Sequence, residues 1–253
     1  MSFNQLKVED IKKIYTKIYE NACELIDEAE LLLEHQKYAR AYLCAHISIE
    51  EFGKLPMLYT VAINVHNGDK VDWKALSKRL RDHKEKTSSS YSIQMLMDKV
   101  LFDFKYDKYD KYDKYEEKVN SMNDAEKEKY YDLENFKSFL NSIDLPKLKP
   151  DSLSHALLSH SQEEEFMYRK ALADLLNEYK NHSLYADFNK EEFLKPSEVI
   201  DKNRCIRRIM FALFQKKFTD FLNPPNGGYK LFKYEDVGFY DLIAQIKGNL
   251  SEK

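Results

Sequence analysis

The residues best placed to do chemistry lie in Ile49-Glu50-Glu51-Phe52-Gly53-Lys54, where two adjacent carboxylates and an ammonium interrupt an otherwise apolar stretch. From Tyr38 to Val65 the residues Ala41, Cys44, Ala45, Ile47, Leu55, Leu58 and Ala62 recur at helical spacing, which predicts a core-facing helix. Glu51 falls on that stripe. Lys54 follows one turn later, within reach of either Glu50 or Glu51 on the same helix surface. Charges in such a place must be paired or serve a purpose. A second set lies downstream, where His83 continues the spacing of Trp73, Leu76 and Leu80 and is expected to point inward, with Lys86 one turn further on. A carboxylate beside an imidazole makes either a fixed hydrogen-bonded pair or an acid/base pair. Buried polar networks of this kind also fix helix register in bundles, and the residue types leave both readings open.

The elements that must position these groups are helical. Only six glycines and six prolines occur in 253 residues, amid long stretches of Glu, Lys, Leu and Ala, so strands have almost no foothold. A first helix is predicted over Val8 to Glu34 from the face Ile11, Ile14, Ile18, Ala22, Leu25, Ala29 and Leu32. The short link His35-Gln36-Lys37 then implies an antiparallel hairpin with the second helix. Pro56 sits inside that helix and predicts a kink after the acidic segment, and His66-Asn67-Gly68-Asp69 ends it. Asp72 can cap a third helix beginning at Trp73. Thr87 to Ser90 reads as an interruption, followed by a helical Tyr91 to Phe104 segment.

The tyrosines of Tyr106-Asp107-Lys108 and its repeats up to Tyr115 recur every third residue, drift round a helix and cannot form one buried stripe, so this segment reads as a solvated insertion. Further helices are expected over Asn123 to Asn141, Ser152 to Lys180, Ser197 to Leu222 and Asp236 to Ile246, with turns at Leu145 to Pro150 and Asn223 to Gly228. The fold class is therefore all-α, a helical bundle with additions.

Composition narrows the rest. With 43% hydrophobic and 33% charged residues the chain can build a sizeable core under a solvated surface. No run approaches the length of a membrane span, and the start MSFNQLKVEDIKK lacks the pattern of a signal peptide, so no membrane contact and a cytoplasmic location are expected. The formal charge of -3 confines any nucleic-acid contact to a local surface. Cys23, Cys44 and Cys205 are widely spaced without CxxC and read as reduced thiols.

Two other constellations carry less. His160 and Glu163 share a helical face with His155 nearby, which with Glu50 or Glu51 would approach a metal-dependent bundle enzyme. The Glu-x-x-His pattern of di-iron bundles is absent, so no metal and no cofactor are expected. Arg204, Arg207, Arg208, Lys216 and Lys217 share a helix with Ile206, Ile209, Met210, Phe211, Leu213 and Phe214. A basic amphipathic helix can meet RNA, an acidic partner or a membrane, but a docked helix with a charged outer face is the better reading.

Three separated motifs in order carry a resemblance: Tyr38-Ala39-Arg40-Ala41-Tyr42 through Ile49-Glu50-Glu51-Phe52-Gly53-Lys54, then Arg81-Asp82-His83-Lys84-Glu85-Lys86, then Leu184-Tyr185-Ala186-Asp187-Phe188 ahead of Pro196. Together they resemble the AbiV family of abortive infection proteins, within the HEPN-like superfamily of small helical bundles, over about residues 10 to 200. The resemblance implies an HEPN-like bundle over residues 1–200; it leaves unaccounted for the insertion at about 104–122 and the C-terminal helical extension over 201–253, which the residue pattern places on the same domain. It implies an anti-phage effector that arrests translation or growth, a homodimer, a phage-encoded trigger protein, and RNA or the ribosome as target.

If the chain is an enzyme, the resemblance implies a metal-independent ribonuclease. Glu50, Glu51, Lys54, His83 and Lys86 are then the catalytic candidates, and Arg40, His46, Lys180, Tyr185 and Asp187 the RNA- or partner-binding ones. HEPN ribonucleases carry an arginine followed after four to six residues by a histidine, late in the bundle. Here Arg40 and His46 have that spacing but lie early, while the late position offers Lys180-Asn181-His182. The competing reading is a non-catalytic helical protein that captures a phage or ribosomal component.

Overall fold

A computed structural model of the chain describes residues 6–90, 121, 123, 126, 132–142, 174–189 and 192–222. Two long helices form its spine, α1 (Val8–Glu34) and α2 (Tyr38–His66). They are followed by α3 (Trp73–Arg81), α4 (residues 83–90), α5 (Leu133–Ser142) and α6 (residues 174–184). A small antiparallel hairpin, β1 (Asp187–Asn189) and β2 (Glu192–Leu194), leads to α7 (Pro196–Val199) and α8 (Lys202–Leu222). The all-α class expected from composition is the observed one.

The α1/α2 hairpin forms where the short link requires it. Gln36 turns the chain with φ 58°, and the Lys37 amide donates to Leu32 O at 2.8 Å, closing the end of α1. α1 buries Ile11, Tyr15, Ala22, Ile26 and Ala29 against Ala41, Tyr42, Ala45, Ile49 and Phe52 of α2. Ala22, Ala41 and Ala45 keep the contact close enough for the Ser48 hydroxyl to donate to Ala22 O at 2.7 Å. On its other side α2 receives α8 through Cys205, Ile209 and Ala212. Each such Ile or Leu contributes roughly 1.5–3 kcal/mol on burial. Tyr19 of α1 is hydrogen-bonded to Asp220 of α8, which closes the triangle of long helices.

Several local expectations are corrected. The stretch Thr87 to Ser90 is helical and belongs to α4. α6 runs through Asn181 to Leu184 instead of ending at Lys180. Strands do find a foothold: Phe188 and Phe193 are cross-strand partners with ring centroids 5.1 Å apart, both exposed. The helix expected over Ser197 to Leu222 is two helices, because Ile200 adopts extended backbone and the Asp201 side chain accepts from the Arg204 amide at 2.6 Å, capping α8 afresh. As expected, Pro56 lies inside α2, and an open cleft of about 340 Å³ lies beside Pro56, Val61, Val71 and Leu76. The Tyr91 to Phe104 segment, the tyrosine repeat, the parts of the expected helices at 124–125, 127–131 and 152–173, and everything from Asn223 onward lie outside the described residues. Among the described residues, no helix is long and apolar enough to cross a membrane.

Candidate functional site

Glu50 is the centre of the site. It is 1% exposed, and each of its oxygens faces its own pair of nitrogens. Oε2 lies 2.6 Å from His83 Nδ1 and 2.8 Å from Lys86 Nζ, both on α4. Oε1 lies 3.2 Å from His46 Nε2, one turn earlier on α2, and 4.0 Å from Lys180 Nζ on α6. Arg208 of α8 completes the chain by hydrogen bonding to His46 Nδ1. One carboxylate therefore ties together α2, α4, α6 and, through His46, α8.

The partners fix the protons. A guanidinium has no acceptor, so His46 receives from Arg208 at Nδ1 and carries its own proton on Nε2, facing Glu50. The Nε2 to Oε1 approach is close but off the line a hydrogen bond needs, so attraction there is mainly electrostatic. Burial pushes the His46 imidazole down to about 3, and the Arg208 charge pushes the same way against Glu50. It is a neutral ring at pH 7. Burial alone would raise the Glu50 carboxyl, but the contacts with His46 and Lys86 outweigh it and hold the group at about 2. An ionised carboxylate can only accept, so His83 presents Nδ1–H to it. The Nε2 edge of His83 has no partner among the described residues, and its side chain is 51% exposed.

Local sequence explains the assembly. Gly53, one turn after Glu50, leaves a gap that the backbone of α4 enters: a Cβ there would lie 2.0 Å from Lys86 O. Glycine is what allows α4 to bring Lys86 and His83 onto Glu50. α4 starts where it does because Asp82 leaves the helical region at ψ 116° and its Oδ1 accepts from the Lys84 and Glu85 amides at 2.9 and 3.2 Å. Lys180 is steadied by Asn177 Oδ1 at 2.8 Å, and burial and the Lys86 charge lower its pKa against the pull of Glu50. The Arg208 guanidinium lies over the rings of Tyr42 and Phe211, 5.6 and 5.7 Å from their centroids.

Of the residues singled out from sequence, the fold brings Glu50, His83, Lys86, His46 and Lys180 together. Glu51 and Lys54 pair with each other, beside the cluster rather than within it. His83 is placed beside Glu50 as expected but not inward, because the break at Asp82 ends the Trp73, Leu76, Leu80 stripe before it. Arg40 and His46 do not form one site: Arg40 is exposed and reaches Leu184 O at 3.5 Å, while His46 is in the core. Tyr185 and Asp187 are exposed at the hairpin and have no bond to the Glu50 cluster. Arg208 escaped the sequence reading, which put it on a charged outer face. The available signal was its place one turn from both Cys205 and Ala212, on the apolar side of α8.

Among the described residues, no group of three His, Cys, Asp or Glu side chains is disposed to hold a metal ion. His155, His160 and Glu163 lie outside them. What the arrangement offers is an imidazole at the surface whose inner nitrogen is keyed by a buried anion and whose outer nitrogen faces solvent, with the Lys86 ammonium 3.5 Å from Nδ1. That is the geometry of general acid–base chemistry. The same contacts brace the bundle.

The family model for AbiV, a HEPN family, matches residues 10–212, from the start of α1 into α8. No curated protein and no solved structure matches the chain.

Proposed function

The chain belongs to the AbiV family, and from that premise we propose that it is an anti-phage abortive-infection effector that arrests growth of the infected cell by acting on RNA at His83. The observation that carries this reading is the half-exposed His83 imidazole held by the fully buried, ionised Glu50. In this reading His83 Nε2 takes the proton of an RNA 2′-hydroxyl as that oxygen attacks the neighbouring phosphate. The imidazolium then returns a proton to the departing 5′-oxygen, leaving a cyclic phosphate and a 5′-hydroxyl. Glu50 holds the ring and offsets its positive charge, and Lys86 adds a cation beside it. The effector acts in the cytoplasm as a homodimer, translation stops as a result, and a phage-encoded protein is the trigger.

The test is incubation of the purified chain with total RNA, tRNA and ribosomes, with and without phage lysate, scored for cleavage and for the cyclic-phosphate end. His83→Ala should abolish cleavage and phage protection while the protein stays folded. Full protection by a folded His83→Ala chain rejects the assignment.

A second reading has its own observation. Glu50 gathers cations from two helices besides its own and reaches Arg208 of a third through His46, as a brace would, and the Arg40/His46 spacing makes no catalytic pair. In that case the chain is a non-catalytic binder of a phage or ribosomal component. Co-sedimentation with ribosomes without cleavage selects it.

A further inference from the structure

The solvent face of α3 carries charge that the fold does not use. At 100° per residue, Lys74 and Lys78 lie about 160° and Arg81 about 140° round the helix from Leu76, the buried residue of α3. All three are exposed. They stand in one row, about 6 Å and then about 4.5 Å apart along the axis. Like charges at this spacing repel, so the row weakens the helix that carries it.

Nearby carboxylates are already committed. Asp72 caps α3 by accepting from the Ala75 amide, Asp82 caps α4, and Glu85 pairs with Arg79. Lys84 is taken by Asp174. Lys74, Lys78 and Arg81 meet no carboxylate among the described residues, and the Arg81 Nε donates only to Ser77 O. In a chain of formal charge -3, this is a local concentration of positive potential. It ends at Arg81, two residues before the solvent-facing edge of His83.

We infer that the row Lys74, Lys78, Arg81 is a phosphate-binding rail that seats single-stranded RNA and leads it to His83. The proposal rests on the RNA reading above and names the surface that reading needs. Three cations in line on a rigid helix match the repeating charge of an extended polynucleotide strand. Contacts made to phosphates alone carry no sequence information, so the binding is electrostatic and insensitive to sequence.

The experiment uses the full chain and a labelled, unstructured single-stranded RNA, with affinity measured across a salt series. The triple variant Lys74→Gln, Lys78→Gln, Arg81→Gln should bind at least about tenfold more weakly at low salt, with a log–log salt slope smaller by about 2. A control removing the exposed Lys13, Lys17 and Lys37 should bind as the unaltered chain does, and neither triple variant should melt below the unaltered chain.

Equal loss in rail and control variants overturns the rail, as does failure of the unaltered chain to bind RNA, which ends the RNA reading too. Loss of phage protection with RNA affinity intact assigns the face to an acidic protein and also overturns it. If His83→Ala abolishes protection while the rail variant binds normally, the rail fails and the function stands. If the rail variant alone loses binding and His83→Ala still protects, the rail stands and the function fails.

Discussion

Gly53 and Lys86 touch backbone to backbone, the missing β-carbon of the first occupying the space that the carbonyl of the second fills. Because neither partner in this contact is a flexible side chain end, the contact cannot yield without moving a helix. Gly53→Ala should therefore push α4 off α2, costing about 1–3 kcal/mol by overpacking alone. More should be lost as Lys86 and His83 leave Glu50. A melt of the variant should show lower stability and lower biological activity together, despite the gain in helix propensity that alanine brings.

Glu50 separates the two functional readings. Glu50→Ala leaves Lys86 and Lys180 as buried cations without this carboxylate, and should cost about 3–5 kcal/mol. His83→Ala removes a half-exposed ring, and should cost less than about 1 kcal/mol while lowering any RNA cleavage by about 10²–10⁴-fold. Denaturant melts and cleavage rates on the two variants read the split directly.

Acid should undo the fold from the His46 side first. The imidazole is held at about 3 in the folded chain against an ordinary 6.5, so below pH 6.5 the unfolded chain binds a proton that the folded one refuses. Stability must then fall with pH, by about 1.4 kcal/mol per unit for this group, until the folded value is reached. Glu50 adds a second loss as pH drops from its ordinary 4.5 towards about 2, since its depressed value favours the fold only while the carboxyl is ionised. Chemical melts between pH 7 and 5 isolate the first effect. A His46→Gln chain, starting from lower stability, should show a flatter slope there.

Arg40 provides the contrary expectation. It is exposed and makes one long contact, so Arg40→Ala should change stability by less than about 0.5 kcal/mol and leave phage protection intact. Loss of protection would mean that the Arg40/His46 spacing matters after all.

The α1/α2 hairpin and the Asp72 cap were legible because their signals are local: a periodic apolar face, a three-residue link, a side chain one turn ahead of its amide. The pairing of His83 and Lys86 with Glu50 was legible from charge logic, since a buried carboxylate needs a cation. What could not be read was which carboxylate. Glu50 and Glu51 are equivalent in spacing to Lys54, and only the approach of α4 through Gly53 decides between them. The end of the Leu80 stripe was hidden because Asp82 can be a helix interior residue or a cap, and nothing but its backbone angles tells which. Arg208 was obscured by its neighbours. Arg204 and Arg207 make that part of α8 look like one basic surface, whereas Arg208 alone turns to the core.

The convergence on Glu50 also governs how substitutions combine. In the intact chain Lys180→Met removes a cation from an anion that still has Lys86, a modest harm. In a Glu50→Gln chain the same change removes a repulsive, stranded charge, and should restore part of the lost stability. A deleterious change thus becomes a suppressor, and the order in which these positions can be exchanged is set by a single side chain.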